Sequence, residues 1–286
     1  MRSMDRTFLQ ISHLQRITDI KMHLKRWLTA VFAAPPLTLF ILKSSQPYFA
    51  SFIAFIAMLC LFEYYSFSPA RKLTIMKGSG FFVGILLMAG IYIGGISVVP
   101  EIILLLFFTL AATALIQFPK NKITPNALAN QFMGLLYIPF LLSHLILIRA
   151  WDQGVVWIFF VLSVIFAGDT GAYYAGNLFG RRKLSPSISP GKTLEGSIGG
   201  LLVSLLVGII FKKFWFTGLA WGMFIFVVIL IEVMAQIGDL FESMLKRSAG
   251  VKDSGRLLPG HGGLLDRIDG LLFAAPTLYY LKMNLF

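Results

Sequence analysis

Residues 232–269, EVMAQIGDLFESMLKRSAGVKDSGRLLPGHGGLLDRID, decide how the rest of the chain is read. The stretch opens inside an apolar run that starts near Gly218 and predicts a membrane helix over 218–240. Glu232, Gln236, Asp239, Ser243 and Lys246 follow at offsets of 4, 7, 11 and 14 from the first, which is one face of an α-helix. A polar stripe on a greasy helix is costly in lipid unless it faces protein, water or a ligand. Then comes the densest polar run in the chain, from Lys246-Arg247 through Lys252-Asp253 and His261-Gly262-Gly263 to Asp266-Arg267-Ile268-Asp269. Beyond it the sequence is apolar again. Two helices are therefore expected to bracket a polar loop. Asp239 is expected to end the first, and Asp266 and Asp269, three apart, to share a face at the start of the second. If the two helices are neighbours, three carboxylates converge. Carboxylate oxygens are hard ligands of the kind Mg²⁺ takes, while Lys, Arg and the N–H groups that glycines expose suit phosphate. The pattern reads as a metal-assisted phosphate site at a membrane surface.

Composition agrees with a membrane setting. Of 286 residues, 57% are hydrophobic and 13% charged, too greasy for a soluble domain of this size. The net charge of +12 would raise nucleic acid as a partner in a soluble protein; here it is assigned to membrane-proximal loops, and no nucleic acid is expected. One cysteine, Cys60, excludes an internal disulfide or a Cys-based zinc cluster.

Nine apolar runs approach the roughly 20 residues needed to cross a bilayer: 27–42, 48–66, 80–98, 101–117, 132–149, 155–176, 196–211, 218–240 and 268–286. The expected fold is all-α, a polytopic membrane protein of about nine helices with its N-terminus cytoplasmic. With that orientation only Lys43, Arg149, Lys212, Lys213 and Lys282, of 25 Lys and Arg, fall outside. Three regions are expected: a basic segment 1–26 lying on anionic lipid, scaffold helices over 27–150, and a catalytic region 151–286 with cytoplasmic loops at 177–195 and 241–267. The acids Glu63, Asp169, Glu232 and Asp239 lie toward the inner side of their spans, which implies a cavity open to that side. Glu63, taken alone, is read as a helix-to-helix hydrogen-bonding group.

A second polar cluster ends the 155–176 span. Asp169, Tyr173 and Asn177 are spaced by four and share a face, among glycines and alanines that permit close packing. The following segment carries Arg181-Arg182-Lys183 and Ser189-Pro190-Gly191-Lys192-Thr193-Leu194-Glu195-Gly196. Gly-Lys-Thr suggests a Walker loop, but Pro186 stands where that motif needs glycine and no strand precedes it, so that reading is rejected. A basic, glycine-containing inner loop can still hold a triphosphate, with Lys192 as a point charge.

The 27 positions from Ser243 to Asp269 resemble, with no departure from its pattern, the signature of the phosphatidate cytidylyltransferase (CDP-diacylglycerol synthase) family. The Asp169-Thr-Gly-Ala-Tyr and Ser189-Pro-Gly-Lys192-Thr193-Leu-Glu-Gly196 series is similar to the same family, except that Leu194 stands where many relatives have Trp. The resemblance covers the C-terminal 40% of the chain; the first 150 residues match in hydropathy only. It implies transfer of the cytidylyl group of CTP to phosphatidic acid, giving CDP-diacylglycerol and pyrophosphate. Mg²⁺ is expected on Asp239, Asp266 and Asp269, with room for a second cation near Asp269. Lys246, Arg247, Lys252, Asp253, His261 and Arg267 are expected at the reacting phosphates. Asp169, Asn177, Ser189, Lys192, Thr193, Ser243, Gly262 and Gly263 are expected to bind substrate. The setting is a multi-pass protein of the inner (plasma) membrane with its site facing the cytoplasm, and a homodimer is compatible with it. Two alternatives differ in sequence terms. A CDP-alcohol phosphotransferase should carry an Asp-Gly-x-x-Ala-Arg run, which is not found. A transporter tends to hold charges at mid-depth between repeated halves; here they gather at one surface and no repeat is seen.

Overall fold

The computed structural model describes residues 34–68, 74–121, 125–255, 257 and 262–285. The basic segment 1–26 and His261 lie outside the described residues. Among the described residues the fold is all-α apart from one small hairpin. Its helices are α1 (Ala34–Lys43), α2 (Gln46–Phe67), α3 (Thr74–Gly94), α4 (Val99–Asn121), α5 (Pro125–Leu135), α6 (Leu141–Arg149), α7 (Gly154–Phe179), α8 (Leu194–Phe214), α9 (Trp221–Ser248) and α10 (Asp269–Leu285). Strands β1 (Lys183–Ser185) and β2 (Ser189–Thr193) join α7 to α8, pairing Lys183 with Thr193 and Ser185 with Ser189.

Among the described residues, six runs are long and apolar enough to cross a membrane. One of them, Gly78–Pro119, holds two helices rather than one. A Cβ at Gly90 would lie 2.6 Å from the Ile102 side chain. In a continuous helix those residues would be about 18 Å apart, so the chain folds back between them. It does so at the 3₁₀ turn Gly95–Val98, which begins with Gly95 at φ +69°, a conformation that needs no Cβ. The first expected span, 27–42, is represented by the short helix α1, and the last by the 17 residues of α10. The structure therefore describes a polytopic, membrane-type helical protein without fixing the count at nine.

Pro139 lies in the single π turn, Leu136–Phe140, that joins α5 to α6. Proline lacks the N–H that an α-helix would use, and a wider turn accommodates that loss. Phe, Leu and Ile side chains on α3, α4 and the outer face of α8 are exposed, including Phe82, Phe107, Phe108, Leu202 and Leu206. In a membrane these face acyl chains. The buried core runs instead between α2, α6, α7, α9 and α10, through Leu61, Leu142, Phe160, Val227 and Leu272.

Candidate active site

Small residues set the first half of the site. On α7, Gly168, Gly171, Ala172, Ala175 and Gly176 meet Gly196, Gly199 and Gly200 on α8. A Cβ at Gly196 would lie 2.9 Å from the Ala172 carbonyl, one at Gly200 2.8 Å from the Gly168 carbonyl, and one at Gly199 would collide with Ala175. Backbone contact of this kind brings the polar ends of α7, α8 and α9 around one cavity of about 240 Å³. Asp169, Tyr173 and Asn177 line it from α7, Lys192 and Thr193 from β2, and Gln236 and Asp239 from α9. Lys192 Nζ is 2.5 Å from Asp239 Oδ2. Glu232 also reaches this cavity, but its carboxylate is spent on packing: Ser204 Oγ and Gln236 Nε2 each donate to it at 2.8 Å.

The β-hairpin presents Lys192 because its base is tied down. Thr193 is the N-cap of α8, its Oγ1 accepting from the Gly196 N–H at 3.1 Å. The Glu195 carboxylate accepts the backbone N–H groups of Arg181 and Arg182 at 3.0 and 3.1 Å. The loop expected over 177–195 is shorter and partly ordered: α7 runs through Asn177 to Phe179, and Ser189 to Thr193 form a strand. Thr193 combines the cap with a place in the cavity wall. Ser189 pairs with Ser185 and does not line the cavity.

The second half is built on α9 and α10. Gly238 packs against the backbone of Asp269, where a Cβ would lie 2.6 Å from its carbonyl oxygen, and Gly270 packs against Ala235. That crossing sets Asp269 beside Asp239. Asp269 lies within the electrostatic field of Asp239, Asp169 and Lys246. Its Oδ1 accepts the Gly270 N–H at 2.7 Å. Helix α9 continues to Ser248, so Asp239 is well inside it rather than at its C-terminus, and no unfavourable helix dipole acts there. Likewise the expected loop 241–267 starts only after Ser248, and Asp266 lies in a 3₁₀ turn, Leu265–Arg267, ahead of α10.

Asp266 is held from several sides. Lys246 Nζ donates to its Oδ1 at 2.6 Å, the Ser254 N–H reaches it at 3.1 Å, and the Gly263 N–H donates to Oδ2 at 2.8 Å. Burial raises its pKa, yet Lys246 and Gly263 outweigh that and hold the carboxyl below its usual value. The Ser254 N–H is shared between both oxygens, at 3.2 and 3.1 Å, so each oxygen of Asp266 takes two contacts and the carboxylate is fixed in place. Lys246 also pairs with Glu242, one helical turn back and fully buried. The Oε1 of Glu242 has no hydrogen-bond partner among the described residues.

The other sequence-derived residues are distributed around this core. Arg247 Nε donates to the Ile188 carbonyl at 3.2 Å and ties α9 to the β-hairpin. The charge of Arg267 acts on Asp169. Lys252 and Asp253 are exposed on the loop after α9, and Ser243 is half-buried on α9. Gly262 adopts φ +81°, and a Cβ on it would lie 2.9 Å from Asp266 Oδ2. Gly263 spends its N–H on Asp266, so that donor serves the fold. Among the described residues no three or more His, Cys, Asp or Glu side chains are gathered into a ready metal site. The donor chemistry nevertheless suits a hard divalent ion: Asp239 is partly exposed at the cavity, Asp169 shares its wall, and Asp269 is within electrostatic reach of both.

Sequence reasoning missed Glu242 and Ser254 and misread Glu63. Glu242 precedes Lys246 by four residues, a spacing that signals an ion pair. Nothing in the local sequence signals that Glu63 on α2 accepts from Ser254 Oγ and from the N–H groups of Leu264 and Leu265. It bonds to the loop rather than to a helix, correcting the expected helix-to-helix role.

Residues 24–285 match the model of the cytidylyltransferase family. Over 163 residues the chain is 42% identical to the phosphatidate cytidylyltransferase of Bacillus subtilis, covering 57% of this chain and 61% of that protein. It is 39% identical over 197 residues to the protein of the same name from Staphylococcus haemolyticus, covering 69% and 74%. With that of Haemophilus influenzae it shares 45% identity over 132 residues, 45% of this chain and 46% of the relative.

Proposed function

The chain belongs to the cytidylyltransferase family, and we propose that it transfers the cytidylyl group of CTP to phosphatidic acid, releasing pyrophosphate and forming CDP-diacylglycerol. The observation that carries this reading is the row of charges of both signs, Lys192, Asp239, Asp269, Lys246 and Asp266, which begins at a cavity and ends at a glycine-rich loop.

A phosphate oxygen of the lipid attacks the α-phosphorus of CTP. The new P–O bond forms as the bond from the α-phosphorus to the bridging oxygen of the β-phosphate breaks, and pyrophosphate leaves with that electron pair. A phosphate monoester is largely ionised near neutral pH, so the attacking oxygen needs no strong base. The chain's task is to hold two polyanions together. Lys192, at the cavity wall, meets phosphate oxygens entering the cavity, and Lys246 sets positive charge beside Asp266 and Asp269. Exposed Lys252 extends the basic rim. Asp169 and Asn177 face the same space and are placed to meet the nucleotide. Mg²⁺ held by Asp239 and Asp269, with Asp266 displacing one of its donors to join them, would offset the repulsion and stabilise the leaving pyrophosphate. The site opens to the cytoplasm in this reading, because most Lys and Arg fall on that side.

The experiment uses purified chain in detergent with phosphatidic acid, Mg²⁺ and CTP labelled at either the α- or the γ-phosphate. The α-label is expected in lipid and the γ-label in pyrophosphate. Absence of α-label from lipid, or γ-label in it, would refute the reading.

A further inference from the structure

We infer that Glu63, on a scaffold helix about 200 residues from the signature loop in sequence, is a positioning residue that fixes Asp266 for the transfer reaction; the inference rests on the transferase reading above. Glu63 is buried and accepts three hydrogen bonds: from Ser254 Oγ at 3.1 Å, the Leu264 N–H at 3.0 Å and the Leu265 N–H at 2.9 Å. Asp266 accepts the backbone N–H groups of Ser254 and Gly263. The two carboxylates thus grip the same two short pieces of chain, 254 and 263–265, and neither piece can move without disturbing both. The glycines of the loop fit this arrangement. A Cβ at Gly263 would lie 2.6 Å from Glu63 Oε2, and one at Gly255 would run into Glu63 Oε1. Glycine stands at both places because the glutamate enters between them.

Only an acceptor suits the position, since all three groups facing it donate. In a glutamine the NH₂ replaces one oxygen and so faces either the Leu264 N–H or the Leu265 N–H, losing that bond while keeping the volume. The 264–265 backbone would then shift, and with it the turn that carries Asp266.

The test compares Glu63→Gln and Ser254→Ala with the unaltered chain, in full length and in detergent. The measurements are kcat, the Mg²⁺ concentration for half-activation, the melting temperature, and amide exchange of the 262–266 segment without Mg²⁺. For Glu63→Gln, kcat is expected to fall about 10- to 100-fold, half-activation to need about 10-fold more Mg²⁺, and metal-free exchange at 264–265 to accelerate. Ser254→Ala, which removes one bond of three, is expected to move kcat and half-activation the same way by about 3- to 10-fold. A Glu63→Gln chain whose kcat and half-activation stay within twofold of the unaltered chain overturns the inference, even if its melting temperature drops, because that pattern belongs to a purely structural role. If Glu63→Gln does not fold, Ser254→Ala decides, and unchanged kcat and half-activation in it overturn the inference. Label transfer absent from the unaltered chain removes the transferase reading and this role with it; transfer undiminished in the variants removes this role alone.

Discussion

Lys246 joins two carboxylates that would otherwise repel: Asp266, at 2.6 Å, and the fully buried Glu242. Neutralising it while Glu242 stays charged leaves a buried anion without a counter-charge, a loss of about 3–5 kcal/mol. Lys246→Met is therefore expected to lower the melting temperature in detergent, and Glu242→Gln in the same chain to recover much of it; no loss in the single variant would contradict the pairing. Asp266 gives a pH dependence with a definite sign. Burial raises its pKa, but Lys246 and Gly263 hold it below the unfolded value of about 3.9. A carboxyl depressed in the folded state contributes stability above the unfolded value and loses it as pH falls through the lower folded one. The difference in melting temperature between the unaltered chain and Asp266→Asn should be constant above about pH 5 and shrink as the pH is lowered further. A difference that widens on acidification would reverse the assignment. At this scale the sequence is uneven as a guide. The stripe from Glu232 to Lys246 was legible because helical spacing alone places it on one face. Glu63 was not, because a single acid in a span says nothing about which distant loop supplies its donors.

The contact between α7 and α8 is as close as their backbones allow, and small residues on both sides permit it. Gly199→Leu drives a branched side chain into Ala175. It is expected to separate the helices, lower the melting temperature and open the cavity, which detergent-phase thermal unfolding would report; an unchanged transition would show that the two faces do not meet. Their glycine-alanine composition could be read directly, since small residues at helical spacing in an apolar run have few other uses. The β-hairpin could not. Ser189-Pro190-Gly191 reads as a turn, and Pro190 cannot donate to a ladder. A two-stranded hairpin has a free edge on each strand, so the missing N–H of Pro190 can point away from its partner. The extension of α9 to Ser248 was implied by the helical spacing of the stripe as far as Lys246, but not by the apolar run. Polar residues from Asp239 onward suggested the end of a membrane span, but a helix can leave the bilayer without ending.

The orientation we propose from charge and hydropathy puts the hairpin with Lys183 on the cytoplasmic side and the α8–α9 turn beside Lys213 on the other. The sole cysteine, Cys60, is buried, so introduced thiols report cleanly. In intact cells a membrane-impermeant maleimide is expected to label Lys213→Cys and spare Lys183→Cys until the membrane is opened; the reverse pattern would invert the topology. The six apolar runs and the folded-back pair α3–α4 agree with the membrane class, which composition alone had indicated. The exact crossing number was not legible, because α10, at 17 residues, falls near the length at which a helix spans or merely packs. The central claim is that carboxylates from α9 and the turn before α10 cooperate in one transfer site. Asp239→Asn tests it most directly. With α-labelled CTP and phosphatidic acid in detergent, its label transfer per folded molecule is expected to fall about 100-fold or more while its melting temperature stays near that of the unaltered chain. Transfer at the unaltered rate by a folded Asp239→Asn would contradict the account.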